Sequence, residues 1–178
     1  MKKSLIALIV LSIVYVGNVS AAWQPDPDSK LELSVAQAIL KAKQKNPAME
    51  QWFETAYAYA VFPKVGKGGI GIGGAHGKGL VIVGDDTVGK TSLSQVSIGL
   101  QLGGQVYSEY IMFKDEAAFV NFSRGNFEMG AQVSAVVLTA GASADASYDS
   151  GVVVFTNTKG GLMFDASVGG QKFKYKDK

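Results

Sequence analysis

Residues 84–91, GDDTVGKT, satisfy the phosphate-binding pattern G-x-x-x-x-G-K-[ST] at every fixed position. In a phosphate loop such a string leaves a parallel strand and enters a helix, whose first backbone amides hold the phosphates. Here Ser92 to Leu102 instead alternates with period two and carries Gly99 in mid-segment, so a strand follows and the string reads as a β-hairpin connection. No apolar strand ends in an isolated Asp suited to hold magnesium. Gly69, Gly71 and Gly74 also fit G-x-G-x-x-G, but no βαβ unit surrounds them, and alternating glycine-rich strands generate the pattern by chance. No nucleotide site is expected.

Other reactive groups are sparse. His76 is the only His, there is no Cys, and no G-x-S-x-G nucleophile is present, so neither a zinc site nor a hydrolase triad is expected. Asp145, Asp149 and Asp165 are the carboxylates that remain as a possible cation group, although their spacing is not that of a calcium loop and turn positions explain them as well. The reading is of a protein that is not an enzyme and carries no cofactor.

The N-terminus reads as an export signal. Lys2 and Lys3 precede an apolar run from Leu5 to Val16 that is short for a bilayer span, and Val19-Ser20-Ala21 supplies small residues at the cleavage positions. Residues 1–21 are therefore expected to be a signal peptide that sends the chain to the periplasm or the periphery of the outer membrane. Its removal takes two of the 17 Lys and Arg and none of the 15 Asp and Glu, which leaves a formally neutral chain. A neutral chain lacks the basic excess of a nucleic-acid binder, so anion recognition must come from local patches.

Residues 22–178 read as one domain, helical over 29–62 and β over 65–178. Ser29 with Glu32 fits a capping box, and Leu33, Ala36, Ile39 and Leu40 recur at helical spacing up to Lys45. Asn46-Pro47 restarts a helix that carries Trp52, Phe53, Ala56, Tyr57 and Ala60 on one stripe and ends before Phe62-Pro63. Such a stripe packs over a sheet or enters a membrane interface with the same residues, so Trp52 and Phe53 are membrane-interface candidates as well as core. Short strands are predicted at 69–77, 78–83, 93–102, 106–113, 128–139, 142–148, 152–156, 162–168 and 172–175, with a short helix at 116–122. The predicted fold is mainly β with N-terminal helices (α+β): an antiparallel, glycine-rich sheet, closed or nearly closed into a barrel and packed by two or three helices.

Several spaced blocks resemble the SYLF domain, a lipid-binding family. They are Ala58 to Pro63, Lys67-Gly68-Gly69, Gly73 to Gly79 (GGAHGKG), Leu100 to Gln105 (LQLGGQ), Ala140 to Ala146, Lys159 to Leu162 and Gly169-Gly170. The resemblance covers nearly all of the chain after residue 21, in order. It implies binding of phosphoinositides or of actin, as in some eukaryotic members. The hairpin region from Val88 to Leu93 lacks the tryptophan that many members carry there.

These readings converge on a non-enzymatic envelope protein that binds anionic phospholipid or a membrane surface. The alternative is a structural or protein-interaction module with an envelope protein partner. The C-terminal QKFKYKDK places Lys172, Lys174 and Lys176 on one strand face with Phe173 and Tyr175 on the other. Such a lysine strip protects a sheet edge or docks on anionic head groups. Lys64, Lys67 and Lys78 are further head-group candidates. If GDDTVGKT is a hairpin, Lys90→Ala and Thr91→Ala leave folding and function nearly unchanged; thermal stabilisation by nucleotide in the parent chain, absent in Lys90→Ala, would contradict it.

Overall fold

The computed structural model describes residues 23–124, 128–129, 135–138 and 146–178; the expected signal peptide and Asp145 lie outside them. Ser29 caps α1 (Lys30–Lys45), its hydroxyl accepting from the Glu32 amide at 3.2 Å. The Glu32 carboxylate does not return to Ser29 but accepts from the Asp26 amide at 2.7 Å. The buried face of α1 is Val35, Ala38 and Ala42, whereas Leu33 and Leu40 face solvent, so the expected stripe is rotated. Small residues win this face because α1 lies close to the sheet, near enough for the Tyr110 hydroxyl to donate to the Ala38 carbonyl at 2.9 Å.

The second helix, α2 (Met49–Thr55), is shorter than predicted. Asn46 leads into it by accepting from the Ala48 amide. The expected helical boundary at 62 is wrong: β1 (Ala58–Val83) starts before it. Tyr59 and Val61 enter one core and Ala58, Ala60 and Phe62 the other, and a strand buried on both faces has no polar alternation to mark its period.

Three long strands dominate. β1 pairs antiparallel with β2 (Asp86–Phe113), which pairs antiparallel with β5 (Val152–Asp177). The separate strands predicted at 69–77 and 78–83, and again at 152–156, 162–168 and 172–175, are each parts of one continuous strand. Between β2 and β5 lie α3 (Glu116–Ser123), capped by Asp115, and the short β3 (Glu128–Met129) and β4 (Ala135–Val137), both paired with β5. Of the strands predicted at 128–139 and 142–148, these two pieces fall among the described residues, and residues 146–148 are not strand. The GDDTVGKT string is a tight turn: Val83 pairs with Asp86 across Gly84-Asp85, and the chain continues as strand through Lys90 and Thr91. Thr91 is buried and donates to the Lys174 carbonyl at 3.1 Å, so Thr91→Ala removes a hydrogen bond of about 1 kcal/mol rather than leaving stability untouched.

The sheet runs β1-β2-β5-β3 and is not closed, so the expected barrel is replaced by an open sheet that curls. Straight, β1 would hold Val61 and Gly79 roughly 60 Å apart. Instead a Cβ on Gly79 would lie 2.5 Å from the Val61 carbonyl oxygen, which only glycine permits. The turn in direction passes through Gly71, whose φ of 69° disfavours any side chain. No ladder joins the two halves of β1 where they meet, and that leaves the sheet open.

One core lies inside the curl. Phe62 from one limb meets Phe173 from the other at 5.7 Å between ring centroids, and Phe122 of α3 packs on both Phe173 and Phe113. The second core lies under α1 and α2 and contains Tyr59, Leu80, Tyr110, Met112 and Phe155. Trp23 joins it at the rim and donates from its indole to Thr87 in the β1–β2 hairpin at 3.0 Å, so a tryptophan reaches that hairpin from the N-terminal segment.

Glu109 is fully buried in β2. Its Oε2 accepts from Gln171 Nε2 at 3.0 Å, while Oε1 has no partner among the described residues. Burial pushes its carboxyl up to about 7, opposed by the Gln171 hydrogen bond. The folded chain thus holds this proton more tightly than the unfolded one. Glu109 contributes stability that is fully present below pH 4.5 and is lost as pH rises through about 7, roughly 3 kcal/mol across the window. Glu109→Gln is expected to remove that component, so that urea unfolding gives a variant more stable than the parent at about pH 8 and a stability gap that closes towards acid pH. Parallel pH profiles for the two chains would show that Glu109 does not titrate in this window.

Candidate functional site

Where the sheet bends, its hydrophobic alternation is inverted. The period of two puts Val96, Ile98, Leu100 and Leu102 on one face and Ser97 and Gln101 on the other; Ser97 is 1% exposed and Gln101 4% exposed, while the four aliphatics face solvent. Ile70 and Ile72 of β1 join them. These six side chains are 61–79% exposed. The register sets Ile70 opposite Leu102 and Ile72 opposite Ile98, so the two strands present one aliphatic surface. On the other side, β5 places Phe164, Ala166 and Val168 at the positions paired with Leu102, Leu100 and Ile98.

A polar clamp beneath the surface accounts for the inversion. Gln101 Nε2 donates to the carbonyls of Gly71 at 3.2 Å and Ser97 at 3.0 Å, and the Ser97 hydroxyl donates to Gln101 Oε1 at 2.9 Å. Between the Ile70–Leu102 and Ile72–Ile98 pairs, β2 spends more residues than β1, and the irregular ladder leaves carbonyls without strand partners. An inward Gln satisfies them, and with Gln101 and Ser97 turned in, the period of two turns their aliphatic neighbours out.

The lysines expected to meet head groups fall into three places. Lys172 and Lys174 are exposed in β5, with Phe173 buried and Tyr175 half-buried on the opposite face, as the strand period requires. Cross-strand rows link them to β1: Lys78 pairs with Ser92 and Ser92 with Lys174, while His76 pairs with Ser94 and Ser94 with Lys172. The next row along the same face holds Gly74, Val96 and Gly170, and the one after it Ile72 and Ile98. Each step is two residues, or about 7 Å, so cationic rows run directly into the aliphatic surface. Lys176 pairs with Lys90, which the sequence assigned to the hairpin connection rather than to the head-group candidates, and extends the rows away from the bend. Lys64 and Lys78 line one cleft between α1 and β1; Lys67 lies in a separate groove with Gly68, Gly104 and Gly161.

Trp52 and Phe53 pack against the protein. Trp52 meets Tyr148 and Phe155, each at 5.2 Å, and Phe53 meets Tyr59 at 5.1 Å. Among the described residues, no three of His, Asp and Glu gather as a metal group; Asp149 sits in the turn before β5, where it accepts from the Ser150 hydroxyl.

The model of the family described as "Ysc84: Las17-binding protein actin regulator" matches residues 94–178, from the exposed half of β2 to the lysine-bearing end of β5. The chain is also similar to Beta cell expansion factor A of Aeromonas veronii, with 29% identity over 138 residues, 76% of this chain and 52% of that protein. It spans about half the length of this curated relative. The aliphatic rows of β2, helix α3 and the β5 lysine strip thus all lie inside the segment of this chain that is similar to the Ysc84, or SYLF, domain family.

Proposed function

We propose that this protein is a non-enzymatic envelope protein that docks on anionic membrane surfaces through the exposed bend of its sheet. The observation that carries the reading is the aliphatic surface at Ile70, Ile72, Val96, Ile98, Leu100 and Leu102, bordered on the same face by Lys78, Lys172 and Lys174. A contiguous exposed apolar surface marks a contact site. Cations beside it favour a bilayer, because aliphatic side chains enter the acyl boundary while ammonium groups stay at the level of anionic head groups. The resemblance of the sequence blocks to the lipid-binding SYLF domain supports the same direction. Placement in the envelope rests on the N-terminal segment from Lys2 to Ala21. The second reading is a protein-interaction module, in which the aliphatic surface meets a partner or another copy of this chain.

Flotation with anionic and neutral liposomes over a range of salt tests the proposal. Binding is expected to anionic vesicles and to weaken as salt screens the head groups. Lys172→Gln, Lys174→Gln and Lys176→Gln together are expected to weaken it by roughly two orders of magnitude, at about 1 kcal/mol per lysine. Ile98→Asn with Leu100→Asn alters exposed positions, so the fold persists, and binding is expected to fall below detection. Unchanged vesicle affinity in both variants, with Ile98→Asn/Leu100→Asn abolishing self-association in sedimentation, would overturn the membrane reading and assign the surface to a second copy of the chain.

A further inference from the structure

The cleft between α1 and β1, about 480 Å³ in volume, is chemically different from the bend. Leu31, Ser34 and Gln37 of α1 form one wall and Pro63, Lys64, His76 and Lys78 of β1 the other. Lys159 of β5 completes it. No acidic residue lines it. Lys159 is tied down by donating to the Pro63 carbonyl, which also accepts from the buried Ser108 hydroxyl. Its ammonium is held below the usual lysine range by burial and then by the nearby charges of Lys41 and Lys64. Like charges converge here without a compensating carboxylate: the ion pair formed among the described residues, Lys43 with Glu50, lies elsewhere on the helices. Lysines scattered for solubility would separate, whereas these are gathered by three elements around one concavity.

We propose that this cleft binds the phosphate ester group of a small anion, with Lys64, Lys78 and Lys159 supplying charge and Ser34 and Gln37 supplying neutral hydrogen bonds. The volume is that of a small-molecule site, within roughly 300–1,000 Å³, and so takes a glycerophosphate-sized group rather than a bare ion alone. Lysine ammonium groups recognise phosphate as point charges with rotatable donors, which suits a ligand entering from an open side. The same chemistry is offered by a phospholipid head group and by a soluble phosphate ester. The inference does not depend on the bend reaching a membrane.

The chain's one histidine lies in the wall, so the ring resonances of His76 report on the cleft by NMR without ambiguity. Titration with glycerol 3-phosphate is expected to shift them saturably in the parent chain and equally in Ile98→Asn/Leu100→Asn, which spares the cleft. Lys64→Gln with Lys78→Gln, both exposed positions, is expected to weaken the effect about tenfold or more. If the site serves lipid, short-chain phosphatidic acid competes for the same shift; if it serves a soluble ester, glycerol 3-phosphate binds and the short-chain lipid does not, and either result supports a phosphate site. The proposal is overturned if sodium chloride at matched ionic strength reproduces the shift, or if saturation is the same in Lys64→Gln/Lys78→Gln as in the parent. It can stand while the flotation result fails, because Ile98→Asn/Leu100→Asn leaves the cleft intact, and it can fail while that result stands, because Lys172, Lys174 and Lys176, whose loss tests flotation, do not line the cleft.

Discussion

The contact of β1 with itself is the constraint from which the remaining geometry follows. A ladder of three strands this long, left straight, would expose both faces along most of its length, since α1, α2 and α3 cover one end. Curling brings Gly79 onto Val61 and Phe62 onto Phe173, so each limb buries the other and α3 fills the space between them. The curl also dictates where burial fails. At the bend the sheet has no limb opposite it, and there the exposed aliphatic rows and the irregular ladder occur together. Any substitution with a side chain at Gly79 acts on this contact, because the obstruction is backbone rather than a movable side chain.

Much of the local chemistry was legible in the sequence. Ser29 opens a helix, a short helix follows Asp115, Asp149-Ser150-Gly151 makes the turn before β5, GDDTVGKT is a hairpin, and the alternation in QKFKYKDK separates Phe173 from the lysines. Each depends on a few neighbouring residues. What was not legible depends on contacts distant in sequence. Gly71 and Gly99 read as interior positions of short strands and Gly161 as part of a turn, yet in the folded chain all three take positive φ within long strands that continue through them. Ala58 to Phe62 reads as helix because both of its strand faces are buried. The rotated face of α1 reflects how closely Ala38 approaches Tyr110.

The same distinction applies to the candidate sites. Lys64 and Lys78 were identifiable as cations, but their partnership with Lys159 appears only when β5 is laid against the cleft. The exposed rows had a signal in GIGIGG and GLQLGG, where aliphatic residues alternate with glycine except at Gln101. Alternation alone does not say which face is wet. Gln101 decides that, and its reason for turning inward is the carbonyl of Gly71, thirty residues away in sequence. Glu109 is similar: nothing adjacent marks it as buried, and its partner Gln171 lies on another strand.

The Gln101 clamp also bears on what the bend can tolerate around it. Strand irregularities usually rely on water to satisfy the groups they leave open, and withdrawing that water costs several kcal/mol for each group. Here the Gly71 and Ser97 carbonyls and the Ser97 hydroxyl are satisfied from beneath by one side chain. These groups of the bend are therefore already hydrogen-bonded within the isolated protein. Moving this surface from water into a medium of low dielectric constant exposes no new deficit at them, and the change in solvation is left to side chains that gain from it.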